Sequence, residues 1–258
     1  MKKAVQDFLV TENIALNTTN FCIKLQSPTP LPPIIPGQFV NVEVKNSDEI
    51  FLRRPFSIFE VDNASNSLSL LVKVLGRGSK KLTEIKAGEK LSLVYPLGNG
   101  FTLPDKIDKV LLIGGGSGVA PVLYLAKMSG LAPENISILI GARSKEDHID
   151  IEEYKKVGNI FYTTEDGSLG EKGYVTHHPV FKDQLSKFDK IYTCGPDLMM
   201  KSIGKAAKEK NIYCEVSLES LMACGFGVCL CCIEPTHSKG NACVCTEGPV
   251  FNIKDLKW

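Results

Sequence analysis

Near the end of the chain, cysteine recurs at a spacing that few folds tolerate: Cys224-Gly-Phe-Gly-Val-Cys229-Leu-Cys231-Cys232, with Cys243 and Cys245 beyond. Cys224, Cys229 and Cys232 form a C-x4-C-x2-C run, and a distant fourth cysteine completes the donor set of a [2Fe–2S] cluster. A tight loop must turn three thiolates toward one centre. Gly225 and Gly227 lack a Cβ, so they reach positive φ and let backbone N–H groups approach sulfur. Other uses of these cysteines match less well. A zinc site usually shows paired C-x2-C units, and here only Cys229 and Cys232 form one. A disulfide framework suits a small secreted domain, whereas this chain has 258 residues and opens Met1-Lys2-Lys3-Ala4-Val5-Gln6-Asp7, turning acidic before an apolar stretch develops. Inert packing thiols account for Cys22 and Cys214, but not for the clustered set.

The length accommodates one large or two ordinary domains plus a small appendage. Thirty Lys and Arg against 29 Asp and Glu leave a charge near zero, and nothing there points to nucleic-acid binding, which usually demands a basic face. The longest uncharged run, Val110 to Ala126, is broken by Gly114, Gly115, Gly116, Gly118 and Pro121, so no membrane span is expected. Nine cysteines without a signal for export point to metal or redox use and to a cytoplasmic protein.

From Val5 to about Tyr95 the chain is strand-rich: Val5–Leu16, Phe21–Gln26, Gln38–Val44, Pro55–Val61, Leu68–Leu75 and Lys90–Tyr95, separated by turn clusters such as Pro36-Gly37 and Ala87-Gly88. Alternation is clearest in Asn41-Val42-Glu43-Val44-Lys45. This spacing predicts an antiparallel barrel or sandwich, with one short helix over Ser79–Ile85 capped by Ser79. The pattern then changes. Strands at Lys109–Gly114, Ile136–Gly141, Ile160–Thr164 and Ile191–Gly195 alternate with helical segments at Pro121–Ser129, near Val180–Phe188 and at Pro196–Lys210, which predicts a parallel, Rossmann-like α/β sheet. Phe101–Asp108 reads as the linker. The expected division is a β-barrel over 1–101, a Rossmann-like α/β domain over 102–212 and a cluster-binding segment over 213–258.

Several motifs carry chemistry in order. In Arg54-Pro55-Phe56-Ser57 a guanidinium and a hydroxyl suit a pyrophosphate, and the aromatic suits a flat ring. Leu71-Val72-Lys73 leads to Gly76-Arg77-Gly78-Ser79, where glycines open a helix whose N-terminus favours phosphate. Gly114, Gly116, Gly118 and Pro121 lie between the first α/β strand and its helix, where a dinucleotide fold places phosphates; Pro121 replaces the third glycine of that fingerprint and fits a first helical turn. Cys194-Gly195-Pro196 ends another strand of the same sheet, where Cys194 meets a nicotinamide or simply packs. Arg143, Ser144 and Lys145 follow the second strand, where Arg143 either accepts a 2′-phosphate or lies free on the surface. Asp166-Gly167-Ser168 reads as a loop toward the cofactor. His148, His177, His178 and His237 show no metal-ligand spacing, and no hydrolytic triad appears.

Taken together, Arg54–Ser57, Gly76–Ser79, Gly114–Pro121 and Cys194–Pro196 resemble the ferredoxin–NADP reductase superfamily. That implies an FAD-binding barrel followed by a nicotinamide-binding domain. With Ser217-Leu218-Glu219, Met222-Ala223-Cys224-Gly225 and Cys245-Thr246-Glu247-Gly248-Pro249-Val250-Phe251, the whole chain resembles the electron-transfer subunits of bacterial B-type dihydroorotate dehydrogenases. The resemblance implies FAD at Arg54, Pro55, Phe56, Ser57, Leu71, Val72, Lys73, Gly78 and Ser79. It implies NAD at Gly114, Gly116, Gly118, Pro121, Gly195 and Pro196, with Cys194 beside the transfer point. The implied [2Fe–2S] ligands are Cys224, Cys229, Cys232 and Cys245, with Cys231 and Cys243 as neighbours that offer a ligand swap. It also implies a partner, an FMN-containing catalytic subunit, in a heterotetramer of two of each. The readings that compete are another FAD/[2Fe–2S] reductase subunit, of ferredoxin–NADP oxidoreductase or oxygenase type, and a non-enzymatic zinc-bearing module.

Overall fold

The computed structural model describes residues 3–45, 49–149 and 152–258; Met1 and Lys2, read above for a signal, lie outside them. Strands β1 (Ala4–Ala15), β2 (Asn20–Gln26), β3 (Phe39–Val42), β4 (Arg54–Asp62) and β5 (Ser67–Lys73), helix α1 (Arg77–Thr83) and β6 (Lys90–Leu97) build the first part. The strands close into an antiparallel barrel of order β1-β2-β5-β4-β3-β6. Alternate side chains such as Phe8, Ile23, Val40, Val42 and Leu70 fill its core, as the period of a pleated strand requires. Helix α1 starts two residues earlier than expected, with Gly76 at the N-cap. Ser79 instead reaches back from inside the first turn, its Oγ accepting from the N–H groups of Leu75 and Gly76 at 2.8 and 3.1 Å.

The second part runs β7 (Val110–Gly115), α2 (Val119–Met128), β8 (Ile136–Ala142), β9 (Asn159–Thr164), β10 (Glu171–Lys172), α3 (Pro179–Lys182), β11 (Lys190–Cys194), α4 (Asp197–Glu209) and β12 (Tyr213–Ser217). The helix expected near 180–188 is the four-residue α3 and a separate 3-10 turn, Leu185–Lys187. Val180, Phe181 and Leu185 are the side chains buried here, and one turn each suffices. The chain ends with β13 (Ile233–Thr236), β14 (Gly240–Cys243), α5 (Val244–Glu247) and β15 (Val250–Asn252).

The large sheet has the order β10-β9-β8-β7-β11-β12-β15. It is parallel except for β15, which lies antiparallel on β12. The segment expected to stand apart from residue 213 onward therefore shares β12 and β15 with the α/β sheet, and only the stretch between them leaves it.

The expected linker, 101–108, is fixed along its length. Phe101 is buried; Thr102 donates through N and Oγ1 to Glu215 at 2.9 and 2.8 Å; Lys190 pairs with Asp105 and Asp108. Helix α2 packs on β4, where Lys127 Nζ meets Glu60 at 2.6 Å, and Tyr124 donates to the Ile34 carbonyl at 3.3 Å. Among the described residues no helix is long and apolar enough to cross a membrane.

Candidate functional site

Strands β4 and β5 form a ladder from Asp62 and Ser67 to Ile58 and Leu70 and then part. Beyond that point Arg54–Ser57 stay on β3, and Leu71–Lys73 stay on β2. The two facing edges thus carry backbone donors and acceptors without a ladder partner, which suits a flat heteroaromatic ring edge on. Both flavin segments read from the sequence line this opening. Arg54 turns along its rim: its NH1 donates to the Leu52 carbonyl at 2.7 Å, and a Cβ on Gly78 would come within 2.7 Å of its Nε. Gly78 thus leaves room for the guanidinium, which lies against the start of α1. Arg53 does something else. It braces the barrel wall by donating to the Ser92 carbonyl and hydroxyl at 2.8 and 2.9 Å.

The opening faces the second part. Lys73 Nζ lies 3.4 Å from the Cβ position of Gly116, which has φ +57°. Strand β7 ends in Gly114-Gly115, and the turn Gly116–Gly118 delivers the chain into α2, with Pro121 in its first turn. Register places Gly114 beside Cys194, so the two glycine motifs form one surface. A Cβ on Gly118 would overlap the Cys194 carbonyl and the Gly195 Cα, and one on Gly115 would meet Pro196 Cδ at 2.8 Å.

The Cys194 thiol is fully buried. Burial, reinforced by the charge of Glu219, pushes it well above the usual thiol range, and its Sγ lies 3.9 Å from Glu219 Oε1. Loss of solvation raises the Glu219 carboxyl as well, while the charge of Lys73 opposes that rise. Lys73 of the barrel, Cys194 of the α/β sheet and Glu219 of the terminal segment thereby meet at one junction.

The cysteine loop lies between β12 and β13 and is turned by three left-handed residues, Gly225, Gly227 and Leu230, at φ +79°, +88° and +56°. Those turns direct N–H groups inward. Partial burial of Cys224 is outweighed by hydrogen bonds from the Cys229, Phe226 and Val228 N–H groups and the Cys229 thiol, which bring its pKa down to about 6. Phe226 N lies 3.5 Å from its Sγ. The β13–β14 hairpin then returns the chain, with Val244 N donating to the Cys232 carbonyl at 2.8 Å, and sets Cys245 beside Cys232.

Burial and the Cys232 thiol push Cys245 up to about 12, against a hydrogen bond from Gly227 N. Cys243 is half-buried at the margin of this group. Burial raises it, followed by the charges of Cys232, Glu247, Cys224 and Cys229. Cys231 is exposed.

Among the described residues no three His, Cys, Asp or Glu side chains stand at the spacing that holds a single ion. The donor chemistry carries the assignment: four thiols, of which Cys224 and Cys245 accept from turned backbone N–H groups, fit an iron–sulfur cluster. Around the loop Leu221, Phe226, Val228 and Leu230 are each at least half exposed, an apolar rim of the kind that marks an interaction surface.

Arg143, a candidate for 2′-phosphate, is forked onto Asp147 at 3.1 and 3.4 Å. Ser168 accepts from Lys145 N at 2.8 Å, so the loops after β8 and β9 are tied together. Two residues at these junctions take no role from the sequence. Glu219 enters only as the last residue of Ser217-Leu218-Glu219, with nothing to place it beside Cys194. Asn41 belongs to an alternating strand that predicts it on the surface, yet it is 1 % exposed.

A splayed barrel seam, a dinucleotide turn and a four-thiol loop on one chain define an FAD- and nicotinamide-binding oxidoreductase with an iron–sulfur cluster. Family models agree part by part: an oxidoreductase FAD-binding domain matches residues 7–101, an oxidoreductase NAD-binding domain 112–205, and the iron–sulfur cluster binding domain of dihydroorotate dehydrogenase B 219–257. A Fusobacterium nucleatum subsp. nucleatum protein named dihydroorotate dehydrogenase B (NAD(+)), electron transfer subunit, is 35% identical over 98% of each chain. A Caldanaerobacter subterraneus subsp. tengcongensis protein of the same name is 37% identical over 86% of each.

A solved structure of an NADH-dependent reduced ferredoxin–NADP oxidoreductase superposes with a TM-score of 0.82 at 28% identity, covering 97% of this chain and 90% of that one. The ferredoxin reductase of carbazole 1,9a-dioxygenase shares the fold, with a TM-score of 0.69 at 23% identity over 82% of this chain and 67% of that one. The chain belongs to the family of electron-transfer subunits of NAD(+)-dependent dihydroorotate dehydrogenase B.

Proposed function

We propose that this chain works in pyrimidine synthesis as the redox outlet of a cytoplasmic dihydroorotate dehydrogenase, delivering to NAD+ the electrons taken from dihydroorotate at the FMN of a separate catalytic subunit. Its three parts are 1–101, 102–212 and 213–258, the last lending β12 and β15 to the sheet of the second, and the assembly holds two copies of each subunit. The observation that supports this reading best is the placement of the cysteine loop. It presents an apolar rim outward for the partner and rests its inner side on the flavin barrel.

When bound, the cluster supplies one-electron transfer, and FAD joins that to the hydride chemistry of nicotinamide. The chain's own residues set the conditions. Cys224, Cys229, Cys232 and Cys245 hold the cluster, and the turned N–H groups of the loop stabilise their charge. The edges Pro55–Ser57 and Leu71–Lys73 hold the flavin ring, with Arg54, Gly78 and Ser79 toward its phosphates. Gly114, Gly116, Gly118 and Pro121 shape the dinucleotide turn against Gly195 and Pro196. The Cys194 thiol, kept protonated by burial, fills the floor of the nicotinamide site without adding charge where a hydride must pass.

The test is affinity isolation of the natively expressed protein with flavin and iron analysis of whatever co-elutes. FMN on a second chain, with FAD and iron on this one, is the expected result. FAD and iron with no FMN-bearing partner would overturn the reading in favour of a reductase serving another acceptor.

A further inference from the structure

The cluster loop touches the flavin barrel through a polar contact that none of the motifs contains. On β3 the side chains alternate: Val40 and Val42 enter the barrel core, whereas Phe39 shares a core with Leu97, Cys232, Val244 and Cys245. The outer face of β3 and β6 is thus an apolar seat for the cysteine segment. Asn41 lies on that seat, one position along the same face from Phe39. Its Nδ2 donates to the Cys224 carbonyl at 3.2 Å, and its Oδ1 is buried without a partner.

Only the amide nitrogen can face a carbonyl, which fixes the orientation of the side chain. A Cβ on Gly225 would overlap Nδ2, so the loop backbone is seated directly on the amide. On the barrel side, Asn41 is the ladder partner of Pro55 in the flavin motif, and Arg53 donates to its carbonyl at 3.4 Å. A buried asparagine with one unsatisfied atom is costly in such a place; what it gains is the carbonyl next to the first thiol of the loop.

We infer that Asn41 is a positioning residue for the cluster, fixing the Cys224 end of the loop on the flavin strand through its amide. The inference rests on the assignment of Cys224 as a ligand. Its action is local. The Asn41 side chain reaches the cysteine loop, whereas its link to Pro55 of the seam runs through the β3 backbone, which a change of side chain keeps, so its loss disturbs the cluster and spares FAD.

The test uses the full-length protein as isolated, comparing the native chain with Asn41→Ala, Gly225→Ala and the double variant. Three quantities are read: FAD per chain, the electron paramagnetic resonance spectrum of the reduced cluster, and the half-life of the cluster absorbance in excess chelator. Asn41→Ala is expected to keep native FAD, shift the resonance and shorten the half-life about fivefold or more. Gly225→Ala presses on the same amide, so the double variant is expected to be no worse than the poorer single one, the non-additivity of two groups in contact.

A native resonance and half-life in Asn41→Ala would overturn the inference, as would strict additivity. Loss of FAD along with the cluster would overturn it too, by making Asn41 a general support of the barrel. Cys224→Ser separates the underlying assignment: a native cluster in that variant sinks the ligand reading itself.

Discussion

The dinucleotide turn at Gly114–Pro121 and the cysteine loop at Cys224–Cys232 both offer backbone N–H groups to a ligand, and they are held in opposite ways. The turn is clamped by regular structure. Its first residues are strand ladder, its last are helix, and a neighbouring strand end, Cys194–Pro196, closes against it so tightly that Gly118 has no room for a methyl group. The loop has no ladder. It leaves the sheet after β12, turns on three left-handed residues, and takes its shape from a seat on another part of the molecule. A site built on strands tolerates loss of its ligand; a site built on docking depends on its ligand and its seat together.

The sharpest way to break this contrast is Cys229→Ser, expected to abolish the cluster's visible and paramagnetic signals while FAD stays bound; an unchanged spectrum would remove Cys229 from the ligand set. Gly118→Ala attacks the clamped turn. Crowding a packed backbone contact costs about 1–3 kcal/mol, so NADH-driven dye reduction should fall roughly tenfold with flavin and iron content native. Retained activity would show that the turn is less tightly closed.

Arg54→Ala removes a charge-assisted contact worth about 1.5–3 kcal/mol, and FAD affinity should weaken about tenfold or more, read by flavin release on dilution. In cluster-free protein, alkylation of Cys224 should rise with pH only to about 6–7 and then level off, because its depressed pKa of about 6 leaves it already thiolate above that range. A rate still climbing at pH 8 would mean that the loop opens when empty. Cys243→Ser, at the margin of the thiol group, should leave iron content and spectrum within error of native. Loss of the cluster there would exchange Cys243 for Cys245 as fourth ligand.

The sequence made the clamped region legible because a strand, a glycine turn and a helix are local: hydrophobic runs and glycines near 110–121 and 191–196 locate both halves, although not their contact. The thiols were legible through spacing alone. Their seat was not. Asn41 reads as an outward polar residue in Asn41-Val42-Glu43-Val44-Lys45, and nothing local reports that a segment about 180 residues away covers it. Glu215 escaped for the same reason, and Glu219, although part of Ser217-Leu218-Glu219, gave no sign of its contact with Cys194, since each acts across parts of the chain. Ser79 illustrates a smaller limit. A hydroxyl can serve a helix start from the cap or from inside the first turn, and the glycines at 76 and 78 favour the second. The linker at 101–108 was composed like a free connection but is pinned by Glu215 and Lys190.

The claim that these parts form one electron path is tested most directly by anaerobic titration of the intact protein with NADH, following flavin absorbance and the cluster's paramagnetic signal together. Bleaching of FAD with appearance of the cluster signal, at roughly three electron equivalents per chain from a two-electron flavin and a one-electron cluster, is the expected result. Flavin reduction with a silent, still oxidised cluster would contradict the account, because the loop seated on the barrel would then not be in electronic contact with the site it rests against.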